Sequence, residues 1–128
     1  MEFAVMALHV PLVIICGHTD CGVMKGLLEP ERAAGMPALQ SWMRHSLPAR
    51  ERLLSEHRNV SREEKLRLLT EYNVLTQIEN LKTHPAIESR WASGELAVEG
   101  WVYDIGDGSV WSARPEAGRF ELLGGVPE

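Results

Sequence analysis

The 128-residue chain carries 18 acidic against 13 basic residues, a formal net charge of −5, and is long enough for one domain and hardly two. An acidic balance with no long cluster of Lys or Arg argues against nucleic acid as a partner. The longest apolar run, residues 10–16, contains Pro11 and is far too short to cross a bilayer, so no membrane association is expected. Residues 2–9 read as a short helix with Phe3, Met6 and Ala7 on one face, stopped by Pro11. Glu2 stands where a leader would be basic, and His9 and Pro11 interrupt the apolar stretch, so this is read as folded structure and not a signal peptide. Two cysteines without a secretory context point to a reducing cytoplasm.

Val13, Ile14 and Ile15 form a β-branched run suited to a buried strand, Gly17 permits a tight exit, and residues 22–28 begin a helix. Residues 30–37 read as a loop. Residues 38–46 look helical, ending before Pro48, and residues 50–57 form another short helix. Ser61-Arg62-Glu63-Glu64 has the form of a capping box. The long helix that follows carries Leu66, Leu69, Val74, Ile78 and Leu81 as one apolar stripe for a sheet or a partner chain. Pro85 ends it or starts the next helix, which Gly94 closes. From Leu96 the period changes to two, giving a strand to Tyr103. Asp107-Gly108 signals a hairpin, residues 110–113 return, and a short piece follows at 120–123.

The stretch "VIICGHTDCGVMKGLL" carries the chemistry. Cys16, His18 and Cys21 are soft or borderline ligands in the order C-x-H-x-x-C, the types that hold zinc in a tetrahedron. Ligands at the C-terminal end of a strand lie where α/β sheets bind. Cys21 falls near a helix N-terminus, which favours the thiolate a metal requires. The plainer alternatives are a buried thiol and a structural histidine. Cys16 ends an apolar run and reads as a packed core thiol, and Asp20 as a helix cap or a group behind the ligands.

"EFAVMALHVPLVIICGHTDCGVMKG", then "NVLTQIENLKTHPAI" and "GELAVEGWVYDIGDGSV", resemble the central and C-terminal part of a β-class carbonic anhydrase of the bacterial type, in family order and spacing. The resemblance implies an α/β fold, a parallel sheet core with an antiparallel edge strand and flanking helices, with residues 1–128 as a single partial domain. It implies zinc as cofactor, held by a histidine and two cysteines. His18 and Cys21 match two of these ligands, and Gly22 matches the glycine beside the substrate. The other cysteine, with the aspartate and arginine of the catalytic pair, belongs to a C-x-D-S-R motif that does not occur in this sequence. Zinc affinity is therefore expected to be weak unless Cys16, Asp20 or another chain completes the tetrahedron.

The implied reaction is reversible hydration of carbon dioxide to bicarbonate and a proton, with this chain alone expected to be inactive or nearly so. Family members are dimers or higher oligomers. The strand at 13–16 and the Leu66-to-Leu81 stripe are expected to be under-covered, which also favours a homo-oligomer. Two other readings remain: a non-catalytic zinc-binding or oligomerisation homologue, and a thiol redox protein. The second is weakened by four residues separating the cysteines, where a redox pair usually has two.

Overall fold

A computed structural model describes residues 1–124. Helix α1 (Glu2–Met6) leads into strand β1 (Leu12–His18) and helix α2 (Gly22–Leu28). Helices α3 (Pro37–Met43), α4 (Leu47–Glu56), α5 (Arg62–Leu81) and α6 (Pro85–Ala92) precede strands β2 (Ala97–Tyr103), β3 (Val110–Ala113) and β4 (Glu121–Leu122). The four strands lie side by side in sequence order. β1 and β2 are parallel, and β3 and β4 continue antiparallel. This is the mixed α/β sheet with an antiparallel edge that the resemblance implies.

Helix α5 organises the molecule because its apolar residues leave on two sides. Leu68, Leu69 and Tyr72 join Met24, Leu27 and Leu53 in a helical cluster. Val74, Ile78 and Leu81 pack on Val98 and Val102 of β2 and on Val13 and Ile15 of β1. The stripe expected to lack cover is thus buried within the chain, with Leu69 at 0% and Ile78 at 1% exposure. Only Leu66 of the five is left half-buried. Ser61 Oγ accepts the Glu64 N–H at 3.1 Å, which is half of the expected capping box. The Glu64 carboxylate turns instead to Arg67.

Register places Ile15 beside Gly100 and Gly17 beside Val102, all facing α5. Gly17 therefore lies inside β1 rather than at an exit from it. A Cβ there would stand 2.8 Å from Val74 Cγ2, and one on Gly100 would stand 2.8 Å from Val74 Cγ1. The two glycines form the seat on which the valine rests. The opposite face of the sheet carries Ile14, Cys16 and His18 beside Glu99, Trp101 and Tyr103. Cys16 is exposed on that face, which corrects its reading as a packed core thiol: strand alternation, not the apolar run, decides which way it points. β1 ends the sheet order among the described residues, with its Leu12 38% exposed.

Other expectations shift locally. In α1 the buried side chain is Val5, while Phe3 and Met6 are 70% and 57% exposed. Docking of α1 on α6 is fixed by Arg90, whose Nη1 donates to the Val5 carbonyl at 2.6 Å. The expected loop at 30–37 contains a 3-10 turn, Pro30–Ala33. Pro48 lies in the first turn of α4 rather than ending a helix, because a missing N–H costs nothing there. Tyr103 pairs with Val110, so residues 104–109 form a six-residue connection in place of a two-residue Asp107-Gly108 turn, with Gly108 at φ +78°.

Glu29, at the end of α2, binds the start of α5: its carboxylate accepts from Arg62 Nε at 2.7 Å and also pairs with Arg32. The Arg62 hydrogen bond, reinforced by Arg32, holds the Glu29 carboxyl down from 4.5 to about 2. A depressed carboxylate stabilises the fold above its unfolded value and loses that contribution as pH falls through the folded one. The urea midpoint should therefore drop between about pH 4.5 and pH 2, with a shallower drop in Glu29→Gln and at high salt, since both arginine partners are exposed and Glu29 is only half-buried. An identical acid limb in Glu29→Gln would remove this ion pair from the account.

Candidate metal centre

β1 runs out at His18, the C-terminal end of a parallel strand, and the chain reverses at once. Asp20 sits at φ +54°, a left-handed conformation that aspartate tolerates better than most residues. This reversal brings Cys21 in as N-cap of α2. Cys21 makes no side-chain capping hydrogen bond, so its thiol remains available at a helix N-terminus. Of the two readings of Asp20, helix cap or a group behind the ligands, the cap is corrected, because Cys21 takes the N-cap position; the Asp20 carboxylate pairs with Lys25, which lowers its pKa from the ordinary carboxylate value.

His18 is exposed, and its Nδ1 lies 2.8 Å from the Thr19 carbonyl oxygen. A carbonyl only accepts, so the hydrogen bond requires Nδ1–H and leaves the lone pair on Nε2. A backbone partner on the second nitrogen is how metal-binding histidines are oriented. Gly22 opens α2 with nothing within 4 Å of where its Cβ would be.

Beside Cys21 a cleft of about 320 Å³ opens between α2 and α5, lined among others by Thr19, Met24, Lys25, Leu66 and Thr70. Its cations are spoken for: Lys25 by Asp20, Arg62 by Glu29, and Arg67 by Glu64 and Glu71. Glu71 is pushed up by burial in spite of Arg67.

Imidazole with a bare Nε2 and an uncommitted thiol at a helix N-terminus fit zinc as two of its four ligands. Among the described residues, no three of His, Cys, Asp and Glu converge to hold a metal ion. Cys16, two residues before His18 on the same face of β1, directs its Sγ to the Gly17 carbonyl at 3.4 Å. Both cysteines are free thiols. Sequence reasoning missed Thr19 and Asp104, although both lie inside the quoted motifs. Thr19 Oγ1 stands 3.4 Å from Asp104 Oδ1 and accepts the Ile105 N–H at 3.1 Å, tying the β2–β3 connection to the residue after His18.

Comparison with known proteins assigns the family. A family model described as carbonic anhydrase matches residues 1–110. The chain is 39% identical over 111 residues to a carbonic anhydrase of Synechococcus elongatus, covering 86% of this chain and 41% of the relative. It is 35% identical over 128 residues to a carbonic anhydrase of Pseudomonas aeruginosa, covering 100% of this chain and 58% of the relative. Among solved structures, the β-carbonic anhydrase CcaA superposes with a TM-score of 0.89 at 34% identity, covering 98% of this chain and 56% of that one. A tetrameric β-carbonic anhydrase of Sordaria macrospora gives 0.73 at 29% identity, covering 96% of this chain and 57% of that one. This chain thus spans about half the length of the relatives it matches. With a family model matched over residues 1–110 and a fold shared with solved β-carbonic anhydrases, the chain belongs to the β-class of the carbonic anhydrase family.

Proposed function

We propose that this chain carries the histidine and one of the cysteines of a zinc site for reversible hydration of carbon dioxide to bicarbonate and a proton. The reading rests on two features of one short segment: a strand-end His18 with its Nδ1–H spent on Thr19, and a Cys21 thiol that makes no capping hydrogen bond at the start of α2. Zinc bound there would supply hydroxide near neutral pH by lowering the pKa of its water to about 7. The chain's own part is to orient an imidazole and a thiolate, and to leave bare backbone at Gly22 for a small substrate to approach. Two donors rarely hold zinc, so the 128-residue chain is expected to bind it weakly and to turn over little or nothing by itself.

Competition with a chromophoric chelator should show zinc binding by the wild-type chain that weakens about 100-fold in Cys21→Ser. Losing a direct ligand should reach at least the upper end of what a supporting residue costs. Undiminished zinc binding in that variant would overturn the assignment. The same treatment of Cys16→Ser should change affinity little.

The sheet face bearing Cys16, Trp101 and Tyr103, together with the end position of β1, also supports assembly. A strand end and partly exposed apolar side chains associate readily. Sedimentation at micromolar concentration should therefore show dimers or higher species, and a monodisperse monomer would count against assembly. The lack of any helix long and apolar enough to cross a membrane among the described residues is compatible with the cytoplasmic setting we propose.

A further inference from the structure

Thr19 is engaged at every polar atom. Its N–H donates to the Tyr103 carbonyl at 3.0 Å, extending the parallel ladder by one step. Its carbonyl accepts from His18 Nδ1 at 2.8 Å. Its hydroxyl accepts the Ile105 N–H at 3.1 Å and donates to Asp104 Oδ1 at 3.4 Å. Asp104 Oδ1 in turn accepts the Gly106 N–H at 2.7 Å, and the Asp104 backbone exchanges hydrogen bonds with Ser109 and Gly108, each at 2.8 Å. The connection held this way has no apolar anchor of its own: Ile105 is 52% exposed. Hydrogen bonds to Thr19 are what keep it against the end of β1.

We propose that Thr19 and Asp104 are positioning residues for His18. The knot between β1 and the β2–β3 connection fixes the Thr19 carbonyl, which selects the Nδ1–H tautomer of His18 and presents Nε2 as the lone pair. An imidazole free in water exchanges between its two tautomers and both ring orientations. A ligand fixed in advance binds metal without that ordering cost. The consequence for metal affinity rests on the zinc reading above, whereas the tautomer is a property of the metal-free chain.

The test is nitrogen NMR of the His18 ring in the metal-free 128-residue chain, at a pH where the imidazole is neutral, together with amide exchange at Ile105. The wild type should show the Nδ1–H tautomer. Thr19→Val should shift the tautomer ratio toward Nε2–H by about tenfold, the scale of one neutral hydrogen bond, and speed Ile105 exchange by a similar factor. Thr19→Ser, which restores the hydroxyl, and Asp104→Asn, which keeps the Oδ1 acceptor, should stay within about twofold of wild type on the same scale. Asp104→Ala cuts the knot from the connection side, so the proposal is tested even where Thr19→Val fails to fold by circular dichroism.

An unchanged His18 tautomer in a folded Thr19→Val or Asp104→Ala chain overturns the proposal, whether or not Ile105 loosens. Zinc titration of the same variants separates the two readings. A tautomer shift with about tenfold weaker zinc binding supports both. A tautomer shift with unchanged zinc binding upholds the positioning and overturns the zinc assignment.

Discussion

Stopped-flow hydration of carbon dioxide by the zinc-supplemented 128-residue chain is expected to run at the uncatalysed rate. The same chain joined upstream to a segment bearing C-x-D-S-R is expected to exceed it by on the order of 10⁶-fold, the lower end of enzymic acceleration. The argument is one of coordination. A catalytic zinc needs three protein ligands to leave a single position for water, and the described residues bring together no three donors. The resemblance assigns the remaining cysteine, and the aspartate–arginine pair, to a motif that this sequence does not contain. Residues that act as a unit do not contribute additively, so the loss of one ligand already takes most of the effect. In the extended protein, His18→Ala should return the rate to background. Equal rates for the short and extended chains, both lost with His18→Ala, would mean that local groups complete the site, with Cys16 and Asp20 first in line.

Gly100→Ala is expected to lower stability by about 1–3 kcal/mol, the usual cost of forcing extra carbon into a filled interior. The added methyl would stand 2.8 Å from Val74 Cγ1 and 3.0 Å from Ile78 Cδ1, with the other Val74 methyl already over Gly17. Valine is stiff at χ1 in a helix and cannot turn away, so α5 must move off the sheet. Val74→Ala alone also destabilises, by opening a cavity at a site only 1% exposed. Combined, the two changes should compensate. Urea midpoints are expected to give a double-mutant loss smaller than the sum of the singles by at least about 1 kcal/mol, since groups in direct contact couple. Strict additivity would show that the helix does not rest on Gly100 through Val74.

The elements that repay reading from sequence are those whose signal is local. The capping serine Ser61 and the stripe of α5 are set within one or two helical turns, where hydrogen bonding and periodicity act between neighbours in the chain. The period-two strand at β2, and the H-x-x-C pair straddling the end of β1 and the start of α2, are legible for the same reason. Register was not legible in this way. Whether Cys16 faces helix or open sheet depends on which residues of β1 stand beside which of β2, and the apolar run alone pointed the wrong way. The face α1 buries is set by Arg90, 85 positions along the chain, through its hydrogen bond to the Val5 carbonyl. Gly17 and Gly100 look like ordinary breaks in two strands until α5 is laid across both. Thr19 sits between His18 and Asp20 in the motif with nothing local to mark it, because its partners Asp104 and Ile105 arrive only when β2 pairs in parallel with β1. Side-chain type and near-neighbour spacing are enough to place strands β1 and β2, the long helix α5 and the H-x-x-C segment between β1 and α2, since each of these signals lies within a few residues of chain. The approach of α5 to the sheet, the sheet face on which Cys16 lies and the anchoring of Thr19 beside His18 come from tertiary contacts, because each depends on atoms that meet across long separations in the chain.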